Sequence, residues 1–320
     1  MERNKAIDIA KGIGIVAVVW GHLNQSCPIK DEIYLFHMPL FFMLSGYLFN
    51  DYNKGFPEFI KKKFKAYIIP YLFFFIIVEL SFIILYTATG RSDQIFLSLG
   101  FIFEPYGVAR PLWFFISIFW VQLIYYLICK YISSEKQKLM VSSACIIIGY
   151  VLYKTNVHIP LFIDSSLSMV FYFHIGKMLN KNNFVEIKIP KIVLIFFLGI
   201  MFFYLAIIHN IIVDIRINKL GNDLALSVLS GTSGSMIILI VSKYINKIKY
   251  ASNILSYLGR NLLVIFSLHM LCFEIVKYLW TFSPLENAKY WEGLKMTVFG
   301  ILFSLIIALP LKKIAPFVFK

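Results

Sequence analysis

Residues 67–87 read YIIPYLFFFIIVELSFIILYT, and this stretch decides the fold class. An α-helix rises about 1.5 Å per residue, so a run of this length reaches about 31 Å, the thickness of a bilayer's hydrocarbon core. A helix on the surface of a soluble protein keeps one polar face. This one is apolar around nearly its whole circumference, and Glu79 is its single charge. The run is therefore read as a membrane-spanning helix. A tight group of cations, Lys61, Lys62, Lys63 and Lys65, stands directly before it.

Outward from this block the pattern repeats. Of the 320 residues 59% are hydrophobic, 18% aromatic and 15% charged, where a soluble domain carries about 25% charge. Ten spans are expected near 7–25, 33–50, 67–87, 111–131, 139–153, 164–180, 192–212, 223–242, 254–276 and 294–311. The segment 95–104 is apolar but too short to cross, and 139–153 is marginal. No stretch is long and polar enough for a separate soluble domain, so residues 1–320 are expected to form one all-α, polytopic helix bundle.

The net charge of +14 does not point to nucleic acid, because the basic residues sit between apolar blocks rather than on one polar face. With the N-terminus inside, 21 lysines and arginines fall in cytoplasmic segments and 8 in outer ones. That asymmetry places both termini in the cytoplasm. The opening MERNK and the apolar run after it resemble a signal peptide. No small-x-small site follows, and the block holds Asp8, Lys11 and His22, so it is expected to stay in place. The four cysteines have no metal-like spacing and are expected as free thiols, three of them in apolar spans.

The first span contains KGIGIVAVVWGH, Lys11 to His22. Eleven residues at about 100° each make three turns plus about 20°, so both side chains share one helix face, about 16 Å apart along the axis. The chain then turns through QSCPIKDE, residues 25–32, and returns with His37 two residues before Pro39, a residue suited to a first helical turn. His22 and His37 thus lie on adjacent antiparallel helices at one membrane depth and are expected to meet. A packed histidine and a functional one are both open readings, but an ionisable group inside a membrane is a functional candidate by default. A metal would need further ligands. His269 and Glu274 are five apart, a poor spacing for one helix face, so no metal is expected.

The lysine cluster lies beside Lys11 at the cytoplasmic mouth. Lipid headgroups and a polyanionic cytosolic ligand are both open as its partners. Ser45 and Gly46 are read as a close helix crossing. Glu79 is expected to face the bundle interior. Arg110 and Arg260 are read as anion contacts or interfacial anchors, and Trp113 as an interfacial aromatic. His158, His174 and His209 are read as loop or packing residues.

Assembled in order, these pieces resemble the membrane-bound acyltransferase family type 3 over nearly the whole chain. IDIAKGIGIVAVVWGH (7–22) is similar to the family's opening helix, whose motif is a basic residue, ten residues and a histidine, here Lys11 and His22. FHMPLFFMLSGYLF (36–49) resembles the second helix, and the basic cluster ending in IIPY resembles the next cytoplasmic segment. PLWFF, FHIGKML and LGRNLLVIFSLHML resemble later, weaker blocks. The opening looks closest to fucose O-acetylase-like enzymes of bacterial glycans. Lysine stands at position 11 where arginine is commoner. The third segment is all lysine, which does not offer planar, two-pronged phosphate recognition.

The resemblance implies acetyl-coenzyme A as donor and a sugar hydroxyl of a glycan or lipid-linked sugar as acceptor, in a bacterial inner membrane. Donor phosphates would stay at Lys11, Lys61, Lys62 and Lys63, and the pantetheine arm would run inward to His22. His22 would act as base toward the hydroxyl or carry the acyl group itself. His37 would orient His22 or polarise the thioester carbonyl. The rival reading is a transporter of glycans or lipid-linked sugars, but neither paired repeats nor broken helices in both halves are visible in the sequence. Reporter fusions after Lys65 and after Lys249 should read as cytoplasmic and one near Asn287 as periplasmic. A periplasmic signal after Lys65 inverts the topology.

Overall fold

The computed structural model describes residues 4–23, 26–50, 55–90, 103–105, 107–181, 189–280 and 291–319. Gln25 of the first turn, residues 95–102 of the short apolar segment and the fusion site Asn287 lie outside them. So do Arg3, Lys54, Arg91, Lys188, Lys289 and Lys320 of the charge count. Among the described residues the helices are α1 (Lys5–Gly21), α2 (Lys30–Tyr47), α3 (Phe56–Lys63), α4 (Ile69–Ala88), α5 (Trp113–Tyr131), α6 (Glu135–Lys154), α7 (Ile163–Lys181), α8 (Ile189–Ile208), α9 (Leu224–Ile245), α10 (Lys249–Arg260), α11 (Leu262–Trp280) and α12 (Trp291–Ile314). Among the described residues six helical segments are long and apolar enough to cross a membrane: Phe56–Ala88, Gly107–Tyr131, Pro190–Ile208, Leu224–Ile245, Leu262–Leu279 and Trp291–Ile314. The chain is an all-α, multi-pass membrane protein. Helices suit that solvent because they satisfy their backbone hydrogen bonds internally.

Three features differ in detail from the sequence reading. The lysine cluster is itself helical and continuous with the third span: α3 runs through a π-helical turn at Phe64–Ile68 directly into α4. The expected span 254–276 is two helices, α10 and α11, broken at Asn261. Asn261 holds the break, donating from Nδ2 to the Tyr257 carbonyl at 2.9 Å and accepting from Lys312 Nζ at 2.6 Å. Finally, a small antiparallel hairpin lies between α8 and α9. It joins β1 (Val213–Asp214) to β2 (Lys219–Leu220), with Val213 opposite Leu220 and Asp214 opposite Lys219.

α1 lies at the centre of the bundle, packed against α2, α9, α10, α11 and α12. Asn4 caps it by accepting from the Ala6 amide at 3.0 Å. Its interior positions, Ile9, Ala10, Ile15 and Val19, are fully buried. Small residues set the spacing. A Cβ on Gly12 would run into the Leu255 carbonyl of α10, and one on Gly259 of α10 into the Asp8 carbonyl of α1. α2 crosses α7 in the same way. Gly46 abuts the Phe173 carbonyl and Gly176 abuts the Met43 carbonyl, so Gly46 makes the close crossing expected from the sequence. Without a hydrophobic drive between helices in lipid, such van der Waals contact is the main attraction available.

Gly46→Leu and Gly259→Leu should each force these helices apart, at a cost of about 1–3 kcal/mol or more, and lower the thermal unfolding midpoint in detergent. Gly55→Ala, whose added Cβ would meet only Pro57 at an ordinary 3.7 Å, should leave that midpoint unchanged.

Candidate active site

Two cavities open toward opposite ends of the helices and meet at one side chain. The first lies at the end where α1 and α4 begin. It is lined by Lys11, Lys63, Tyr67, Gln122 and an aromatic wall that includes Phe41, Phe114 and Phe266. The second lies at the end where α1 finishes and α2 begins. It is lined by His22, Tyr34, His37, Arg110, Trp113, Asp214, Arg216 and Phe266. Their empty spaces, open mouths included, are about 970 and 670 Å³. Phe266 belongs to both walls. Its ring centroid lies 5.3 Å from that of Phe114 and 6.1 Å from that of Phe115. The two cavities are thus divided by an aromatic septum.

The elements around the second cavity explain its contents. α1 ends at Gly21, and His22 takes the C-cap position. α2 begins at Lys30, so Tyr34 and His37 lie one and two turns into it. The 3-10 turn at Gly107–Leu112 carries Arg110 and leads into Trp113. The β-hairpin closes the cavity from above with Asp214 and Arg216. The Asp214 carboxylate accepts from the Arg216 backbone amide at 3.1 Å, which fixes the turn between them. Burial draws the Arg216 pKa below its ordinary value, and the Asp214 carboxylate opposes that shift.

The hydrogen bonds of the histidines fix their tautomers. His269 Nδ1 lies 3.0 Å from the carbonyl oxygens of both Ile265 and Phe266. A carbonyl only accepts, so Nδ1 carries the proton and Nε2 of the neutral ring holds a lone pair. His22 Nδ1 lies 2.9 Å from that Nε2 and must donate to it. The result is a relay from the α11 backbone through His269 to His22 that leaves His22 Nε2 unprotonated. The two rings stack with centroids 5.0 Å apart at an interplanar angle of 21°. His22 is thereby held with its unprotonated Nε2 on the side away from His269.

His37 is placed differently. Its Nδ1 donates to the Ile33 carbonyl at 2.8 Å, which leaves Nε2 of the neutral ring an acceptor as well. It can take a hydrogen bond from a hydroxyl but, while neutral, has no N–H left to offer a thioester carbonyl. His37 and His22 share the cavity with Tyr34 between them, at centroid distances of 4.9 and 6.3 Å. The ring bonded to His22 is that of His269.

Among the expected donor-binding lysines, Lys11 and Lys63 line the first cavity. Lys63 Nζ sits 5.3 Å over the Phe59 ring and 5.8 Å over Phe49. Lys61 and Lys62 are exposed and outside the cavity wall. Trp113 is buried in the wall of the second cavity rather than standing at an interface. Glu79 is half-buried and lines neither cavity. Glu274 is tied to Lys277 at 2.7 Å and to the Tyr86 hydroxyl at 3.1 Å. Buried His174 bonds the Tyr125 hydroxyl at 2.9 Å, and His158 faces Asp164 at 3.4 Å. Among the described residues no group of three His, Cys, Asp or Glu could hold a metal ion. The sequence reading left His269, Tyr34, Asp214 and Arg216 without a role. For His269 a signal existed: it is an ionisable group inside an apolar span, as His22 is.

A family model described as an acyltransferase domain matches residues 4–313. The chain belongs to the acyltransferase family. This acyltransferase-family chain is also 36% identical over 84 residues to the nodulation protein NolL of Mesorhizobium japonicum, covering 22% of this chain and 22% of that protein. It thus spans about a fifth of the length of that relative. No solved structure gives a significant match.

His269→Phe keeps an aromatic ring but removes the acceptor for His22 Nδ1–H. Acyl transfer by this variant should show kcat lowered by about 10²-fold, the scale of general-base assistance, with KM for the donor unchanged. His269→Gln, which restores an acceptor oxygen, should recover part of the loss. An equal loss in both variants, or a loss in KM alone, would mean that His269 only packs.

Proposed function

We propose that this protein is a membrane O-acyltransferase that moves an acetyl group from acetyl-coenzyme A to a sugar hydroxyl of a surface or exported glycan. The supporting observation is the meeting at Phe266 of a lysine-lined cavity and a polar cavity that holds a base with a free nitrogen. The donor's phosphates stay at Lys11 and Lys63, where the charge asymmetry marks the cytoplasmic side. The thin pantetheine arm fits the aromatic slot and brings the thioester to the septum, about 16 Å inward by the rise of α1. The acceptor sugar enters the second cavity from the outer side. On this reading both termini are cytoplasmic, the chain crosses a bacterial inner membrane ten times, and the enzymes it most resembles are of the fucose O-acetylase type.

His22 lines the polar cavity rather than the lysine-lined one, which favours a role toward the acceptor. His22 Nε2 takes the proton of the attacking hydroxyl as the C–O bond forms. Collapse of the tetrahedral intermediate breaks the C–S bond, and the proton on Nε2 passes to the departing thiolate. The products are the O-acetyl sugar and free coenzyme A, with His22 neutral again. His269 stabilises the imidazolium formed midway, because its Nε2 lone pair still accepts from His22 Nδ1–H. His37 Nε2 can accept from a neighbouring hydroxyl and fix the sugar's orientation.

His22→Ala should abolish transfer of radiolabelled acetyl to glycan in membranes matched for protein level, while coenzyme A still binds. Wild-type transfer by that variant would sink the reading. Lys11→Ala should instead raise KM for acetyl-coenzyme A by about 10- to 100-fold, the scale of one desolvated charge-assisted contact, with a smaller change in kcat. Added salt should weaken donor binding by the wild type more than by this variant. Unchanged affinity and salt dependence would leave Lys11 a topology residue only.

A further inference from the structure

A third cavity adjoins the lysine-lined one. It is lined by Lys65, Ala66, Arg260, Asn261, Leu263, Val264, Lys312, Val318 and Phe319, and it shares Ala66 and Leu263 with its neighbour. Its three cations come from three separate elements: the π-turn before α4, the last residue of α10 and the last turn of α12. No carboxylate lines it, and none of the three is ion-paired with a described residue. Lys312 is held in place by a neutral partner, Asn261 Oδ1, at 2.6 Å. That bond leaves its charge uncompensated. The wall also includes Leu263 and Val264 in the first turn of α11, the helix end whose dipole favours an anion. All three cations are exposed at the rim, and together they give the concavity a positive field that attracts a multiply charged anion.

We propose that this pocket at the α10–α11 break binds the 3′-phosphate of the coenzyme A nucleotide. The inference rests on the donor assignment above and adds to it a second anion site, built by Lys65, Arg260 and Lys312. The order of groups along the donor supplies the reason. With the thioester at the septum and the pyrophosphate at Lys11 and Lys63, the adenosine and its 3′-phosphate extend beyond the lysine-lined slot. The third cavity lies directly beside that slot, with Ala66 and Leu263 forming part of both walls. A guanidinium at position 260 offers the planar fork that matches a phosphate with two hydrogen bonds, a geometry the lysines lack. The same phosphate chemistry would also attract an anionic lipid headgroup, so the test separates the two sources.

Binding of coenzyme A and of 3′-dephospho-coenzyme A is measured by titration on purified wild type and on Arg260→Gln and Lys65→Gln. The protein is held in phosphatidylcholine discs, with a parallel set containing phosphatidylglycerol. Wild type should prefer coenzyme A over the dephospho form by about 10-fold or more, the scale of a charge-assisted contact. Each variant should lose most of that preference while keeping the affinity for the dephospho form, and phosphatidylglycerol should leave the preference intact. Retained affinity for the dephospho form also shows that the variants are folded. Equal binding of both nucleotides by wild type, or variants that weaken both equally, would overturn the pocket but not the donor. Loss of the preference in phosphatidylglycerol discs would make the pocket a headgroup site and overturn the proposal. Binding of neither nucleotide by wild type would overturn the donor assignment and the pocket with it.

Discussion

Direct backbone contact between α1 and α10 governs the position of nearly everything around the histidines. Gly12 and Gly259 bring each helix against the other's carbonyl groups, closer than any side chain would allow. α10 passes into α11 within one residue, so fixing α10 on α1 also fixes where α11 begins. From that origin the helical rise carries His269 to the level of His22, and the 2.9 Å hydrogen bond follows. The same short connection places Arg260 and Asn261 at the basic end of the bundle. The close crossing at these two glycines therefore sets the geometry of a histidine pair at one level and of a cationic pocket at another.

The histidine pair illustrates how a neutral ring acquires a defined tautomer inside an apolar bundle. Two carbonyls of α11 determine the tautomer of His269, and that tautomer determines the tautomer of His22. A carboxylate would orient the ring equally well but would bring a charge into a desolvated site, where an unpaired ion costs several kcal/mol. The backbone supplies the same orientation through carbonyls that α11 presents in any case. The arrangement also gives the two conspicuous histidines of the opening helices different anchors. His22 is anchored through another imidazole, and His37 through its own helix at Ile33.

Features that follow from one helix alone were legible in the sequence. The run 67–87 is apolar around its circumference, so its identity as a span needed no tertiary information. The shared face of Lys11 and His22 follows from a rotation of about 100° per residue, and each of them lines a cavity. Features that depend on how helices meet were not legible. Span nine kept its apolar character across Asn261, and only the bond to Lys312, 51 residues away, shows why a break is tolerated there. His269 has no helical-spacing relation to His22, since 247 residues separate them. Lys61, Lys62 and Lys63 look alike as a string, but on a helix neighbours point about 100° apart, and Lys63 alone of the three reaches the cavity. Trp113 has the composition of an interfacial residue and the position of a core one.

The septum at Phe266 has a bearing on the cell that surrounds the protein. A bundle with a lysine-lined opening at one end and a polar opening at the other would be a pore if the two were joined, and an energised membrane cannot tolerate an open water wire. A wall of aromatic rings interrupts that wire while leaving the two spaces one side chain apart. On the proposed reading, a small acyl group is the only matter exchanged across that thickness. On that reading the nucleotide would stay on its side and the glycan on its own, and the ring that brings the two reactants together would also hold the ion gradient.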